Sequence, residues 1–536
     1  MPSEAAAAAR AALPPVRELL VSGGDHRIAL DPVTGRNKYG CSPIATSNVV
    51  PFGSSTSSGI SPSALAVVDA LRDRLAGSLA QGCSPAWLYG QEMDRLRLEL
   101  LRMCGIDASS GAGLVFAASG TDVHLLATRM ARESHIDKPL AIITAGGSES
   151  GSGVPAALAG RHFSTWSALG RATVPGEPVG DSCDGEILDV PIRTVDGVPR
   201  DAKRVDAEVT ALVDRAVRDG RRVLLVLMDL SKTGCIAPGI ASVLEIRRRW
   251  GSAVQVLVDA CQFRIEPGTL RAYLRCGFMV AVTGSKFLTG PPFSGALLLP
   301  PSLSATQRGH FASTPLRAYS AREEWPRDWP CAQALASHAN FGLLMRWQAA
   351  IHELREFQAI PPLQARDILR RFAAAVQARL ARDPCFAALP VPSLDRAALH
   401  APSAWDGIQT IHPFLLHRPA RGGARVPLGR DETAAIHRRM EAAASDSRAW
   451  AFQVGQPVDA GQRSGVQVSA LRLCMSARLV VQAARDRDLG DGIIDQGMAC
   501  LDSIAASISS RKHGASIALT RAPIRMRESA EKLAGI

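Results

Sequence analysis

Between Gly113 and Pro300 the chain repeats one pattern, a short β-branched apolar run followed by a stretch of helical length and period. The runs are GLVFAAS, PLAIITAG, RRVLLVLMDLS, AVQVLVDA, GFMVAVTGS and GALLLP. Each holds roughly four to seven apolar residues, which suits strands buried on both faces. Between them lie helix-like stretches such as TDVHLLATRMARESH, VDAEVTALVDRAVRDG and ASVLEIRRRWG. Strands alternating with helices predict a mostly parallel α/β sheet with right-handed connections, and ligands in such sheets sit at the carboxyl ends of the strands.

The rest of the chain is arranged around that block. The first sixty or so residues end in GRNKYGCSPIATSNVVPFGSSTSSGISP, rich in Gly, Pro, Ser and Thr, which reads as loop and as a binding surface. Two amphipathic helices follow, LAVVDALRDRLAG and MDRLRLELLRMCG. Beyond the sheet block come long helices (NFGLLMRWQAAIHELREFQAI, then PPLQARDILRRFAAAVQARLARD), strand-like IQTIHPFLL and VSALRLCM, and a final helix over Leu489 to Ser510. The expected division is an N-terminal segment 1–62 lining the site, a large α/β domain 63–335 and a smaller α+β domain 336–536. Stretches around Val179 to Arg200 and Arg418 to Gly465 read as insertions, and the basic tail from Arg511 as loosely held. No internal repeat is visible.

Composition removes several classes of function. Charged residues or Gly/Pro break every apolar run before the roughly 18 residues that a membrane-spanning helix needs, so a soluble protein is expected. Glu4 stands where a secretory leader is basic, and the alanine run beside it lacks bulky apolar residues, which predicts a cytoplasmic protein. The 11 cysteines show no metal-ligand spacing, so no metal is expected. A net charge of +11 is spread along the chain with aromatics at only 5%, which argues against a nucleic-acid partner. Only seven of the 61 basic residues are lysines, so a lysine in an apolar, glycine-rich setting stands out.

Four stretches at predicted strand ends carry the chemistry. In AASGTDVHLLA, Ser119, Gly120 and Thr121 sit between a strand and a helix, where free N–H groups and the helix dipole suit a phosphate; such turns also serve as ordinary N-caps. In VLVDACQFR, Asp259 ends an apolar strand, where a carboxylate needs a cationic partner, either a protonated ring nitrogen or an arginine such as Arg264. In VAVTGSKFLTGPPFSGALLLP, Lys286 follows a buried strand and precedes a Gly/Pro-rich turn. That setting suits a Schiff-base lysine as well as a lysine that snorkels from a strand end. In VSALRLCMSARLV, Arg472 lies among apolar residues, suited to grip a substrate carboxylate, with Arg478 as the competing choice and a structural ion pair as the alternative for both.

Together these stretches resemble the fold-type I enzymes dependent on pyridoxal 5′-phosphate (PLP), and within them the class V aminotransferase and cysteine desulfurase group. TGSKFLTGPPFSGALLL is similar to that group's lysine region, and Asp259-Ala260-Cys261-Gln262 reproduces its Asp-Ala-x-Gln, 27 residues before Lys286. The resemblance covers Leu114 to Pro300. It implies PLP held by Ser119, Gly120, Thr121 and Ser285 at the phosphate, Asp259 at the pyridine nitrogen and Gln262 at the ring hydroxyl, with Lys286 as attachment point and proton shuttle. Asp229 and Ser231, in MDLSKTGCIAP, fall where the family lines its cofactor.

The family's ring-stacking His or aromatic is missing. That window reads AGGSESGSG, with Glu149 and Ser150, and leaves His162 or Phe163 as replacements. The resemblance implies a homodimer acting on an amino-acid-like substrate, aminotransferase-like in the first reading. The alternative is β- or γ-elimination, substitution or carbon–carbon bond formation in a specialised biosynthetic pathway. A cysteine desulfurase fits less well, because no cysteine lies between Cys385 and Cys474 to supply its mobile nucleophile.

Overall fold

The computed structural model describes residues 13–45, 48–133, 138–180, 185–303, 314–420, 424–443, 451–486 and 491–509. The six apolar runs form strands β2 (Gly113–Ala117), β3 (Leu140–Ala145), β5 (Arg222–Asp229), β7 (Val254–Ala260), β8 (Met279–Thr283) and β9 (Gly295–Leu299). Every residue of five of these strands is buried, and β7 has the single exception of half-buried Gln255, as expected of strands covered on both faces. The sheet order is β2-β9-β8-β7-β5-β3-β4, where β4 is Gly185–Val190 and a short strand β6 (Ile236–Ala237) pairs with β5. β4, β3, β5, β7 and β8 run parallel, while β9 is antiparallel to both β8 and β2. Helices Gly120–Glu133, Ala202–Arg218 and Ile240–Trp250 fall where the periodicity puts them. The mostly parallel α/β architecture read from the sequence is the one observed.

A second sheet runs β1-β13-β14-β11-β10, with β12 on β11. Its strands are β1 (Val49–Phe52), β10 (Phe386–Ala388), β11 (Ile411–Pro419), β12 (Arg425–Pro427), β13 (Ala451–Arg463) and β14 (Val466–Cys474). One sequence reading is corrected here, and two further stretches hold elements that their pattern did not show. The stretch taken as N-terminal loop contains β1, which pairs in parallel with β13, Val49 opposite Ala451. The stretches taken as insertions supply β4, an edge strand of the large sheet, and β12, helix Arg430–Ala443 and β13 of the second. The reason is physical: β4 is half-exposed, and β13 carries Gly, Pro and Gln with two register shifts, so neither keeps a clean alternation. The last helix runs Asp491–Ser509, while the basic tail from Arg511 and the alanine run at the N-terminus lie outside the described residues.

Helix Phe341–Gln358 packs against the turn that follows β8, and two glycines make that approach possible. A Cβ on Gly284 would lie 2.4 Å from the Ala350 Cβ, and one on Gly290 2.7 Å from it. Gly284→Ala is therefore expected to destabilise the protein by about 1–3 kcal/mol through overpacking. Urea denaturation of the single variant, and of the double variant with Ala350→Gly, checks this: the second change should recover most of the loss, and an unchanged midpoint in the single variant would show that the helix has room to move.

Candidate active site

Gly120 is the point at which three of the sequence stretches meet. A Cβ there would touch Cys261 Sγ at 3.0 Å and Thr283 Cγ2 at 3.1 Å. The Ser-Gly-Thr turn is therefore pressed against the strand end that carries Asp259 and the strand that leads to Lys286. Thr283 Oγ1 ties the two strands by donating to the Cys261 carbonyl at 2.6 Å. As the first residue of helix Gly120–Glu133, Gly120 presents an N–H with no helical acceptor, as does Thr121, and the N-terminus of a helix suits an anion.

Asp259 is buried and ionised. Burial alone would raise its pKa, yet His124 and then Lys286 hold the carboxyl far below the usual carboxylate range. His124 Nε2 lies 3.1 Å from Asp259 Oδ2, and Oδ1 accepts from the Cys261 N–H at 3.1 Å. His124 Nδ1 lies 2.6 Å from the Gly120 carbonyl oxygen, which can only accept, so Nδ1 carries a proton. Burial pulls the imidazole's pKa down, but Asp259 outweighs it and the net shift is upward. The arginine partner weighed from the sequence is not used: Arg264 donates instead to Thr410 Oγ1, the Met475 carbonyl and Ser54 Oγ. His124, Asp259 and Cys261 also place one ligand atom each within 4.8 Å of one another, near enough to share a metal ion, although burial pushes the Cys261 thiol well up and away from the thiolate that binds metals.

Sequence reasoning missed Arg27. It is buried and paired with Asp25, and donates from Nη1 to Thr121 Oγ1 at 3.0 Å and from Nη2 to Ser119 Oγ at 3.3 Å. The turn thus has a fixed guanidinium from the N-terminal segment, its charge matched by Asp25. Asp122, in the same turn, accepts from Ser119 Oγ, and burial with help from Asp25 pushes its carboxyl up to about 7. The only sequence signal was polarity in a segment with no apolar period.

The remaining candidates divide. Lys286 lies on the turn after β8, partly exposed, with no hydrogen-bond or ion-pair partner among the described residues; Ser285 beside it is buried. Gln262 donates from its amide to the Ser55 carbonyl at 3.0 Å and lies beside Arg264. Asp229 is not brought to the site: both oxygens are taken by Arg396, and one also accepts from Tyr273 at 2.7 Å. Ser231 is committed to Glu149 at 2.5 Å. Arg478 is consumed by Glu353 and by the Gly59 and Thr289 carbonyls. Among the described residues Arg472 has no acidic partner. It donates to Thr56 Oγ1, the Gln456 carbonyl and the Lys232 carbonyl, leaves Nε without a partner, and is pulled down to about 10 by burial.

A cavity of about 230 Å³ opens beside Asp259, lined by Thr144, Gly147, Ser148, Ser150 and Met228 among others, and no aromatic side chain is in its wall. His162 stacks instead on Tyr319, and Phe163 faces Arg27, so neither replaces a ring-stacking residue at Asp259. A larger cavity of about 340 Å³ lies against Phe263, Phe287 and Trp405, but its mostly apolar wall offers no constellation for catalysis. Three non-glycine residues in the left-handed region, Phe263, Thr289 and Phe293, flank the Asp259 and Lys286 loops, strain of the kind that collects at functional sites.

No family model matches the chain, and no curated protein matches it. Solved structures do. Oryza sativa TDC with PLP aligns at a TM-score of 0.49 and 13% identity over 88% of this chain and 84% of that one. SPT with PLP aligns at 0.48 and 13% over 91% and 96%. The cysteine desulfurase CsdA from Escherichia coli aligns at 0.46 and 13% over 88% and 99%. These are distant likenesses, and the reading of the site rests on its own geometry.

The His124–Asp259 pair predicts a pH dependence. His124 has a folded pKa above its ordinary 6.5, so its contribution is complete below pH 6.5 and is lost as pH rises through the raised value. Asp259 has a folded pKa below its ordinary 3.8, so its contribution is complete above that value and is lost only in stronger acid. The pair is therefore worth most between pH 3.8 and 6.5. His124→Phe should cost about 3 kcal/mol there by leaving a buried carboxylate without its partner, and the difference from the parent should shrink towards alkaline pH. Urea midpoints of both proteins from pH 5 to 9 measure it.

Proposed function

We propose that this chain is a PLP-dependent enzyme of fold-type I acting on an amino-acid-like substrate, aminotransferase-like in its chemistry. The observation that carries the reading is the meeting at Gly120 of an anion-binding turn, a buried ionised Asp259 and the strand end of Lys286, at the carboxyl edge of a parallel sheet. The residues fit the cofactor. Free N–H groups, Ser119, Thr121 and Arg27 would take the phosphate, Asp259 would take a protonated ring nitrogen, and the unpartnered Lys286 would be the attachment point. When bound, the cofactor supplies an electron sink for negative charge at the substrate's α-carbon.

The chain's own residues decide the rest. Asp259, kept ionised by His124, would hold a proton on the ring nitrogen. Lys286 carries a proton to and from the substrate. Arg472 takes the substrate carboxylate, supported by its missing acidic partner, whereas Arg478 is already neutralised by Glu353. The same reading makes the protein a homodimer.

Lys286→Ala should abolish the visible absorbance band of the lysine-bound cofactor while the far-ultraviolet circular dichroism is retained. Borohydride reduction and peptide mapping test it directly, and an adduct on Lys232 would overturn the assignment. Arg472→Lys should weaken amino-acid binding by roughly 1.5–3 kcal/mol, because an ammonium cannot reproduce the planar fork. Titrating the visible band with amino acids in Arg472→Lys and in Arg478→Lys decides between the two arginines: an effect confined to Arg478→Lys would move the carboxylate role there.

A further inference from the structure

Lys232 is the second lysine at the site, and neither the sequence reading nor the proposed function gives it work. It lies in the turn between β5 and β6, and the backbone around it is fixed. Its N–H donates to the Glu149 carbonyl at 3.1 Å, and its carbonyl accepts from Arg472 Nη1 at 3.4 Å. The neighbours on either side, Ser231 and Thr233, both hold the Glu149 carboxylate. The side chain is only partly exposed, and among the described residues its ammonium has no hydrogen-bond or ion-pair partner.

The charges near it do not balance. Glu149 is the nearby acid, and both its oxygens are taken, one by Arg193 at 2.5 Å and the other by Ser231 and Thr233. Asp259 is matched by His124, and Asp25 by Arg27. Lys232, Arg472 and Lys286 remain, and burial, followed by these two other cations, pushes the Lys232 ammonium down to about 8. On the reading above, Lys286 is consumed by the cofactor and Arg472 by the substrate's α-carboxylate. The phosphate is met at the other end of the site by Arg27, Ser119 and Thr121. Lys232 is left over, and a half-buried ammonium without a counter-charge is costly unless a ligand supplies one.

We propose that Lys232 is a specificity-determining residue that pairs with an anionic group on the substrate's side chain, so that the enzyme takes an acidic amino acid, with one anion for Arg472 and a second for Lys232. This rests on the PLP reading of the site. A neutral amino acid would leave the half-buried Lys232 ammonium without a counter-charge, and an acidic one supplies it. The selection is therefore for charge, and arginine at position 232 would serve nearly as well as lysine.

The test is a titration of the holoenzyme's visible band with L-aspartate, L-glutamate, L-asparagine, L-glutamine and L-alanine, in the parent and in Lys232→Gln and Lys232→Arg. The expected result is that acidic amino acids bind the parent about ten-fold or more tighter than their amides. Lys232→Gln should lose that preference with neutral amino acids unaffected, and Lys232→Arg should keep it. Equal affinity for acids and amides in the parent overturns the proposal, and so does a preference that survives in Lys232→Gln. A parent with no visible band overturns the PLP reading itself, and one with the band but no response to any amino acid overturns the amino-acid substrate; both are distinct from a failure of charge selection alone. An adduct on Lys232 after borohydride reduction would give that residue the attachment role and end its role as counter-ion.

Discussion

One buried negative charge organises the centre of this protein. Asp259 ends β7 inside the fold, where an ionised carboxylate is costly unless a cation and hydrogen bonds meet it. His124 supplies the cation, and it can do so only because its helix begins at Gly120 and brings the ring back over the strand end. Nδ1 is anchored on the carbonyl of Gly120, the residue whose lack of a side chain lets the turn rest on Cys261 and Thr283. The charge, the turn and the helix start thus depend on each other. A change in any of them shifts the place where a ring nitrogen would sit.

A second buried cation joins this centre to the rest of the molecule. Arg264, fully buried, reaches Ser54 in the N-terminal segment, and Thr410 and the Met475 carbonyl beside the second sheet. Its guanidinium also lies 5.1 Å from the centroid of the Phe287 ring, next to Lys286. One side chain thus ties the lysine turn to three other places in the chain. The turn is also held by the helix Phe341–Gln358 that the two turn glycines admit.

What was legible in the sequence was what local pattern encodes. Six short apolar runs announced six strands of the large sheet, and Ser119, Asp259 and Lys286 could be singled out because each is a polar residue at or just after an apolar strand end. What was illegible depends on pairing at long range. β1 is four residues in a loop-like segment, and only its partner 402 positions away makes it a strand. Arg27 has no local context that marks it. His124 looked like one more polar position on an amphipathic helix, since its meaning lies across the fold. Asp229 misled for a similar reason: its segment resembled one that lines a cofactor, but Arg396, far along the chain, takes the charge.

The parallel pairing of β1 with β13 bears on how the molecule is made. A ribosome has to release residue 451 before Val49 finds its neighbour, so the segment carrying Ser54 to Thr56, which contacts Arg264 and Arg472, has no native sheet to join while most of the chain is synthesised. The large sheet has all its strands by residue 299 and meets no such delay. Contacts of such high sequence separation form late and slowly, because loop closure has to come before they reward it. The surroundings of Arg264 and Arg472 are then among the last parts to be completed. A chain cut short before β13 would have every strand of the large sheet but no partner for β1.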